Sequence, residues 1–159
     1  MTPTAPLRIG LIADTHGLLR PEVLEYLAGC DHILHAGDIG DPAILEALAA
    51  IAPLTAVRGN NDHGAWADAL PARVSVTLGA VRVHVIHDIA DVDFAGAARD
   101  AHVVVCGHSH QPGVRMDGGV LLVNPGSAGR RRFKLPISAG ELWIVDGDVR
   151  VALRQFDPG

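Results

Sequence analysis

Short apolar runs that each end in a cluster of Asp, Asn, His and Gly are the feature that most constrains the fold of this chain. Residues 7–13 form such a run and end in Asp14-Thr15-His16-Gly17, and residues 103–106 form another that ends in Gly107-His108-Ser109-His110. A run of this length bounded by Gly and polar residues is typical of a buried strand. Helical patterns separate the first three runs, which predicts parallel strands joined by crossovers. Because open α/β sheets bind ligands at the carboxyl ends of their strands, the polar clusters are expected to converge on one rim.

The rest of the chain predicts a mixed α/β fold with two sheets in a single domain, residues 1–159, preceded by a loose arm over residues 1–6. An i, i+1, i+4 apolar spacing predicts a helix over residues 21–28, and a third helix is predicted over residues 92–99. Asp41 and Pro42 suit the N-cap and first turn of a second helix. The predicted strands cover residues 7–13, 33–36, 54–57, 74–78, 81–86, 103–106, 120–123, 137–145 and 149–156.

Composition limits both the core and the partners of the chain. Of 159 residues, 48% are apolar and only 4% aromatic, so the core has to be built from Ala, Val, Leu and Ile. The formal net charge of -5 argues against an extensive nucleic-acid surface, and the basic stretch Arg130-Arg131-Arg132-Phe133-Lys134 is interpreted as a solvated turn rather than a binding patch. Two cysteines, with neither a signal peptide nor an apolar run of membrane length, predict a cytoplasmic protein without a disulfide framework or membrane span.

Seven polar side chains at or just after the predicted strand ends form a candidate metal centre. Imidazole, carboxylate and amide oxygen together suit borderline divalent ions such as Mn, Fe, Zn or Ni. Residues i and i+2 of an extended segment point to the same side, so Asp14 and His16 could serve one ion, while His108 and His110 could serve one ion or two neighbouring ions. The competing interpretation of each is a polar turn or capping residue. The seven candidates are Asp14, His16, Asp38, Asn60, His87, His108 and His110.

Other polar residues near the strands lack this context. Asn124-Pro125-Gly126-Ser127 is interpreted as a tight turn near the site rather than a direct substrate contact, and Cys106 as buried and inert. The histidines interpreted as structural are His32, His35, His84 and His102.

In order and placement these motifs resemble those of the calcineurin-like metallophosphoesterase superfamily, and in particular its small bacterial and archaeal phosphodiesterases. The resemblance covers about residues 9–136 and rests on the order of the motifs, since each is weak alone. It implies a four-layer α/β/β/α sandwich in which two mixed β-sheets pack face to face. The motifs are Asp14-Thr15-His16, Gly37-Asp38, Gly59-Asn60-Asn61-Asp62, His87, Gly107-His108-Ser109-His110 and Asn124-Pro125-Gly126-Ser127.

The resemblance also implies hydrolysis of a small phosphoester by a hydroxide bridging two divalent ions, with Mn first among the candidate metals. A phosphodiester is favoured over a monoester, because a domain without a cap has few devices to recognise a monoester's extra charge. A homo-oligomer is compatible with the sequence, which shows no diagnostic interface. By position, Asp14, His16 and His110 would bind the first ion, Asn60, His87 and His108 the second, and Asp38 would bridge the two.

Two positions depart from the family pattern. Many relatives carry, where Asn61 stands, a His that donates a proton to the leaving group. Asn61 has no titrating proton, so either His16, His63 or solvent is the general acid, or the enzyme prefers leaving groups that need little protonation. Relatives usually carry Gly where Asp88 follows His87, and an acidic side chain there could repel polyanionic substrates.

Three alternatives stay open at this point. Asp62, a further catalytic candidate, either orients a histidine or only shapes its turn. A phosphomonoesterase would keep the same dimetal centre and differ in pocket shape. Some relatives of this fold act as protein-binding scaffolds with a degenerate site, an interpretation that the seven occupied ligand positions disfavour.

Overall fold

A computed structural model describes residues 5–157, so residues 1–4 of the predicted arm lie outside the described part. The described residues form ten strands, three short helices and a 3₁₀ turn at Ile89–Asp91. The helices are α1 (Pro21–Leu27), α2 (Pro42–Ala49) and α3 (Ala65–Asp68). The strands are β1 (Leu7–Ile12), β2 (His32–His35), β3 (Leu54–Ala56), β4 (Arg73–Leu78), β5 (Val81–Ile86), β6 (Val103–Val105), β7 (Gly113–Asp117), β8 (Val120–Asn124), β9 (Ile137–Val145) and β10 (Asp148–Phe156).

Two five-stranded mixed sheets organise the molecule, as the sequence predicted. The first has the order β10-β9-β1-β2-β3, with β1, β2 and β3 parallel and β9 antiparallel to β1. The second has the order β4-β5-β6-β8-β7, with β5, β6 and β8 parallel and an antiparallel strand at each edge. The parallel strands of both sheets are therefore the ones that carry the polar clusters at their carboxyl ends.

The core lies in layers around these sheets. Side chains from β1, β5 and β6, among them Leu11, Val85 and Val105, share one buried cluster between the two sheets. Ile12, on the other face of β1, packs in a second cluster with Val23 of α1 and other helix residues. This alternation along β1 is the period-2 pattern of a strand that is buried on both faces.

The predicted helix over residues 92–99 is wrong, because this segment forms a series of turns over the outer face of the second sheet. The Asp93 carboxylate accepts a hydrogen bond from Gly96 N at 3.0 Å, and Asp93 O accepts one from Ala98 N. Asp side chains compete with the helical backbone in this way, and Gly is a poor helix former. Strand β7 and helix α3 were not predicted from the sequence; all five residues of β7 are exposed, so it lacks the alternation that marks a half-buried strand.

Cys30 and Cys106 are both buried and free, in agreement with the predicted lack of a disulfide framework. Among residues 5–157, no helix is long and apolar enough to cross a membrane.

Candidate metal centre

The strand ends bring the candidate ligands together between the two sheets. Hydrogen bonds between the loops hold the ends in register: Asp14 N donates to Gly37 O at 3.0 Å, and Gly107 N donates to His87 O at 2.9 Å. Seven described non-glycine residues have positive φ, and five of them are candidate ligands. Such left-handed backbone is unfavourable for these residues and persists where the surrounding structure enforces it, often at functional sites. The five are Asp14, His16, Asp38, His108 and His110.

The buried carboxylate of Asp14 is the focus of the centre. Its Oδ1 atom lies 3.6 Å from His110 Nε2, 3.8 Å from His16 Nε2 and 3.9 Å from His87 Nε2. Its other oxygen, Oδ2, accepts a hydrogen bond from His108 N at 3.0 Å. His16 Nε2 and His110 Nε2 are 3.2 Å apart, so these two rings and Asp14 present their ligand atoms to one small space.

Asp38 lies beside Asp14 and faces the second sheet. Its Oδ2 atom is 3.2 Å from His87 Nε2 and 3.6 Å from His16 Nε2, so it stands between the two groups of histidines. Asn61 holds this carboxylate twice, donating from its backbone N to Oδ1 at 2.8 Å and from Nδ2 to Oδ2 at 3.1 Å. The residue that departs from the family pattern therefore orients the central aspartate.

Of the remaining candidates, Asn60 and His108 form an exposed group, while His87 is buried. His108 Nδ1 lies 3.1 Å from Asn60 Oδ1, and the rings of His108 and His87 meet edge to face with centroids 5.2 Å apart. His87 Nδ1 lies 2.8 Å from Ala36 O, a contact in which the ring nitrogen donates and Nε2 is left to face Asp38. All seven predicted ligands thus lie in one region, although Asn60 and His108 are set apart from the compact set around Asp14.

Electrostatics make the two aspartates unequal. Burial raises the pKa of Asp14 to about 7, with a further contribution from Asp38, while His87 and Arg132 act in the opposite direction. Burial also opposes ionisation of Asp38, but its contacts with His87 and Asn61 outweigh burial and hold its pKa well below the usual range. For His110, burial, then His16 and Arg132, lower the pKa to about 4, so its imidazole is neutral at physiological pH.

These atoms fit a divalent cation. Asp14 Oδ1 is buried without a hydrogen-bond partner among the described residues, and so are His87 Nε2 and His110 Nδ1. A buried carboxylate oxygen without a proton donor is costly, and three imidazole nitrogens surround it at 3.6–3.9 Å. Neutral imidazole and carboxylate are the ligands that borderline divalent ions prefer.

Asp62 and His63 do not join this group. The Asp62 carboxylate is buried and accepts from the backbone N–H groups of Ile39, Gly40 and Gly59 at 2.9–3.1 Å. It therefore ties the loop after β3 to the loop after β2, which supports the turn-shaping alternative. The side chain of His63 is exposed, and no hydrogen bond joins it to the candidate ligands.

The sequence did not predict how two neighbours of the centre, Asp88 and Arg132, interact with it. Asp88 Oδ2 lies 3.7 Å from His108 Nε2, on the far side of that ring from Asn60. Arg132 influences the pKa of both Asp14 and His110 and so lies close enough for its charge to reach the centre. A cavity of about 570 Å³ opens beside the exposed group and is lined by Arg58, Asn60, Arg73, His87, Asp88, Asp91 and His108.

The four histidines interpreted as structural are all held by protein contacts. His35, for example, is fully buried and lies 3.1 Å from Thr15 Oγ1, while Gly37 N donates to its Nδ1. Asn124 ends β8 and accepts a hydrogen bond from Gly126 N at its Oδ1, and Ser127 forms an isolated bridge with Ile137. Asn124 also donates to Gly107 O and to Ser109 Oγ, so this side chain braces the Gly-His-Ser-His loop.

The family assignment follows from comparison with known proteins. The model of the calcineurin-like phosphoesterase superfamily domain matches residues 7–147. A probable metallophosphoesterase of Methanothermobacter thermautotrophicus is 35% identical over 131 residues, which are 75% of this chain and 76% of that protein. The chain therefore belongs to the calcineurin-like phosphoesterase superfamily, a family of metallophosphoesterases.

Solved structures show the same fold at low sequence identity. Vacuolar protein sorting 29 from Cryptosporidium parvum superposes with a TM-score of 0.77 at 21% identity, over 96% of this chain and 99% of that one. An archaeal phosphodiesterase superposes with a TM-score of 0.72 at 20% identity, over 93% of this chain and all of that one. The two-sheet sandwich expected from the sequence is thereby confirmed.

Proposed function

We propose that this protein hydrolyses phosphoesters, with phosphodiesters favoured, at a centre that holds two divalent ions, Mn²⁺ first among the candidates. The observation that carries the proposal is the buried, unpartnered Asp14 Oδ1 with three histidine nitrogens around it. Asp14, His16 and His110 would hold one ion and Asn60, His87 and His108 the other, with Asp38 shared between them.

The ions, when bound, would activate water and offset the charge of the phosphate. The chain's own residues prepare this site. Asn61 fixes both oxygens of Asp38, and the contact of His87 Nδ1 with Ala36 O directs the other ring nitrogen inward. Water oxygen adds to phosphorus, the bond from phosphorus to the leaving oxygen breaks, and the water protons pass to solvent and to the departing alcohol.

Protonation of the leaving oxygen is the step with no evident side chain. His16 directs Nε2 into the centre, 3.2 Å from His110 Nε2, and Asn61 carries no titrating proton. We propose that this proton comes from solvent or from His63, which is exposed and outside the group of candidate ligands. If solvent is the donor, good leaving groups are preferred. Replacing His63 by Ala should slow an alkyl ester more than a p-nitrophenyl ester if His63 donates the proton.

The proposal is tested on the purified chain loaded with Mn²⁺. Bis(p-nitrophenyl) phosphate and p-nitrophenyl phosphate release the same chromophore, so their kcat/KM values compare diester with monoester directly. Faster turnover of the diester is expected, and faster turnover of the monoester would favour the phosphomonoesterase alternative. No Mn²⁺-dependent turnover of either compound would overturn the enzymatic proposal.

The likeness to vacuolar protein sorting 29 keeps a second candidate function in view, a protein-binding scaffold on the same fold. Metal content separates the two. About two ions per chain, lost in Asp38→Ala but kept in the exposed variant Asp117→Ala, supports the enzyme. Metal-free protein after dialysis against Mn²⁺ would instead support the scaffold.

A further inference from the structure

The basic loop, residues 130–134 with the sequence Arg-Arg-Arg-Phe-Lys, follows a segment that is hydrogen-bonded to the candidate centre. Its base is fixed to the Asp14 segment: Ser127 Oγ donates to Asp14 O at 2.9 Å, and Ala128 N donates to Ala13 O at 3.0 Å. Gly129 packs so tightly against the carbonyl of Thr15 that a Cβ atom would collide with it. The position of the loop is therefore set by the same segment that supplies the central aspartate.

The loop concentrates positive charge beside the centre of a chain whose formal net charge is -5. Arg20 Nε donates to Gly129 O at 2.9 Å, at the base of the loop. Ser127 Oγ lies 2.9 Å from Asp14 O and 3.2 Å from Arg130 O, so the run of arginines begins directly beside the segment that supplies Asp14.

Phe133 sits at the tip of this loop with its ring in solvent. It is 86% exposed, the most exposed large apolar side chain of the described residues, and its φ of 54° is in the left-handed region. A turn closed by Leu135 N donating to Arg132 O at 3.1 Å displays it. The Arg132 guanidinium carbon lies over the ring, 5.9 Å from its centroid, so the cation is held against one aromatic face.

We propose that the basic loop binds the nucleoside part of a nucleotidyl phosphodiester, with Phe133 stacking on the base and Arg132 contacting the phosphate. An aromatic platform next to cations is how proteins bind unpaired bases without reading their sequence. This assignment rests on the proposed function, because the bound phosphate is the one to be hydrolysed. It replaces the interpretation of residues 130–134 as a merely solvated turn.

A single nucleotide unit suits the surroundings better than a long polymer does. The loop offers one ring, and the cavity beside His108 is lined by Asp88 and Asp91 as well as by two arginines. Carboxylates there disfavour a continuous phosphate track, in keeping with the acidic chain as a whole.

Two chromogenic diesters test the inference, because they share a leaving group and differ only on the other side of phosphorus. Thymidine 5′-(p-nitrophenyl) phosphate carries a base, and methyl p-nitrophenyl phosphate carries none. In both, water oxygen adds to phosphorus and the bond to p-nitrophenolate breaks, leaving thymidine monophosphate or methyl phosphate. The Mn²⁺-loaded chain should show a KM lower for the thymidine ester by about 5- to 100-fold, the effect of one base–aromatic stack.

Variants of the loop locate the source of that preference. Phe133→Ala should raise KM for the thymidine ester by a similar factor and leave KM for the methyl ester within about twofold. Phe133→Trp should retain the preference, and Met116→Ala, which removes another exposed apolar side chain on β7, should leave both values unchanged. Arg132→Gln should raise KM for both esters, since both carry the phosphate. Calorimetric titration of thymidine monophosphate into each loaded variant gives the same ranking without turnover.

The outcomes separate this inference from the proposed function. Turnover of both esters with equal KM, or a thymidine preference that survives Phe133→Ala, overturns the base-binding role and leaves the phosphoesterase standing. No turnover of either ester overturns the proposed function itself. In that case binding of thymidine monophosphate that depends on Phe133 would still support the loop as a nucleotide site, and its absence would remove both.

Discussion

The two halves of the candidate centre differ in how firmly the chain holds them. Around Asp14 the ligand atoms are close together and buried: the side chains of Asp14 and His110 are 0% and 4% exposed. In the other half His87 is buried, but Asn60 and His108 are open, with 46% of the His108 side chain exposed and a cavity beside it. A preorganised, buried set holds an ion more tightly than an exposed set. The difference predicts one firmly held ion and a second that is more weakly bound, next to this cavity.

Asp38 contacts both halves of the centre, through His16 and through His87. Its loss should therefore have the largest effect. In Asp38→Ala the metal content should fall from about two ions per chain to well below one. Removing several kcal/mol of charge stabilisation should lower kcat/KM for a diester by on the order of 10³-fold. Elemental analysis after gel filtration, together with the diester assay, measures both. A variant that keeps two ions would show that Asp38 does not bridge.

Substitution of a ligand in one half should weaken a different ion from substitution of a ligand in the other half. His110→Gln removes a buried ligand and should weaken the tighter ion, leaving less than one ion per chain at micromolar Mn²⁺. His108→Gln removes an exposed ligand and should leave about one ion, with activity partly restored by excess Mn²⁺. Each loss is expected to be at least about tenfold in metal affinity. Titration calorimetry of the metal-free variants measures it, and equal stoichiometries for the two variants would contradict the ranking of the halves.

Structural features that follow from a local sequence pattern were predicted, and features that depend on contacts between distant segments were not. Polar residues after buried strands predicted seven candidate ligands, and the fold brings them into one region because the carboxyl ends of parallel strands share one edge of a sheet. The edge strand β7 is exposed throughout, and Asp93 with Gly96 turned a helical spacing into turns. The contact of Asp88 with His108 and the reach of Arg132 depend on how distant segments meet, which no single-sequence pattern encodes.

A backbone contact beneath Asp38 offers a smaller perturbation that removes no ligand side chain. A Cβ atom on Gly59 would collide with the backbone N and the carboxylate of Asp38, so the loop after β2 has to shift in Gly59→Ala. Such overpacking costs about 1–3 kcal/mol of unfolding free energy. Activity should fall as well, because Asp38 moves. Gly113→Ala is the matched control: a Cβ there meets nothing within 4 Å, and its stability should change by less than about 0.5 kcal/mol.

Urea denaturation of the metal-free proteins measures both stabilities. A Gly59→Ala variant as stable as the parent chain would show that packing does not enforce the close approach of the loops after β2 and β3. Other contacts would then have to fix the position of Asp38.

The half of the centre around Asp14 can be probed without any substitution by the effect of pH on stability, because the buried His35 packs beside it. Thr15 Oγ1 donates to Ile39 O at 2.8 Å, so it accepts from His35 Nε2, while His35 Nδ1 accepts from Gly37 N at 3.1 Å. In the neutral ring both nitrogens already make hydrogen bonds. A second proton on Nδ1 would point at the Gly37 N–H group, which is itself a donor. Burial, together with these surroundings, lowers the pKa of His35 to about 3.

The unfolded chain, with an ordinary histidine pKa of about 6.5, binds this proton between pH 6.5 and 3 while the folded chain does not. The stability that the neutral ring supplies is complete above pH 6.5 and is lost as pH falls through that window. Lowering pH from 7 to 5 should therefore cost about 2 kcal/mol through His35. His35→Asn keeps an acceptor for Gly37 N and should lose stability less steeply with acid, whereas the exposed His63→Asn should follow the parent chain. Urea midpoints of the metal-free proteins at the two pH values decide this, and parallel curves for the parent and His35→Asn would mean that acid loosens the buried half through its ligands instead.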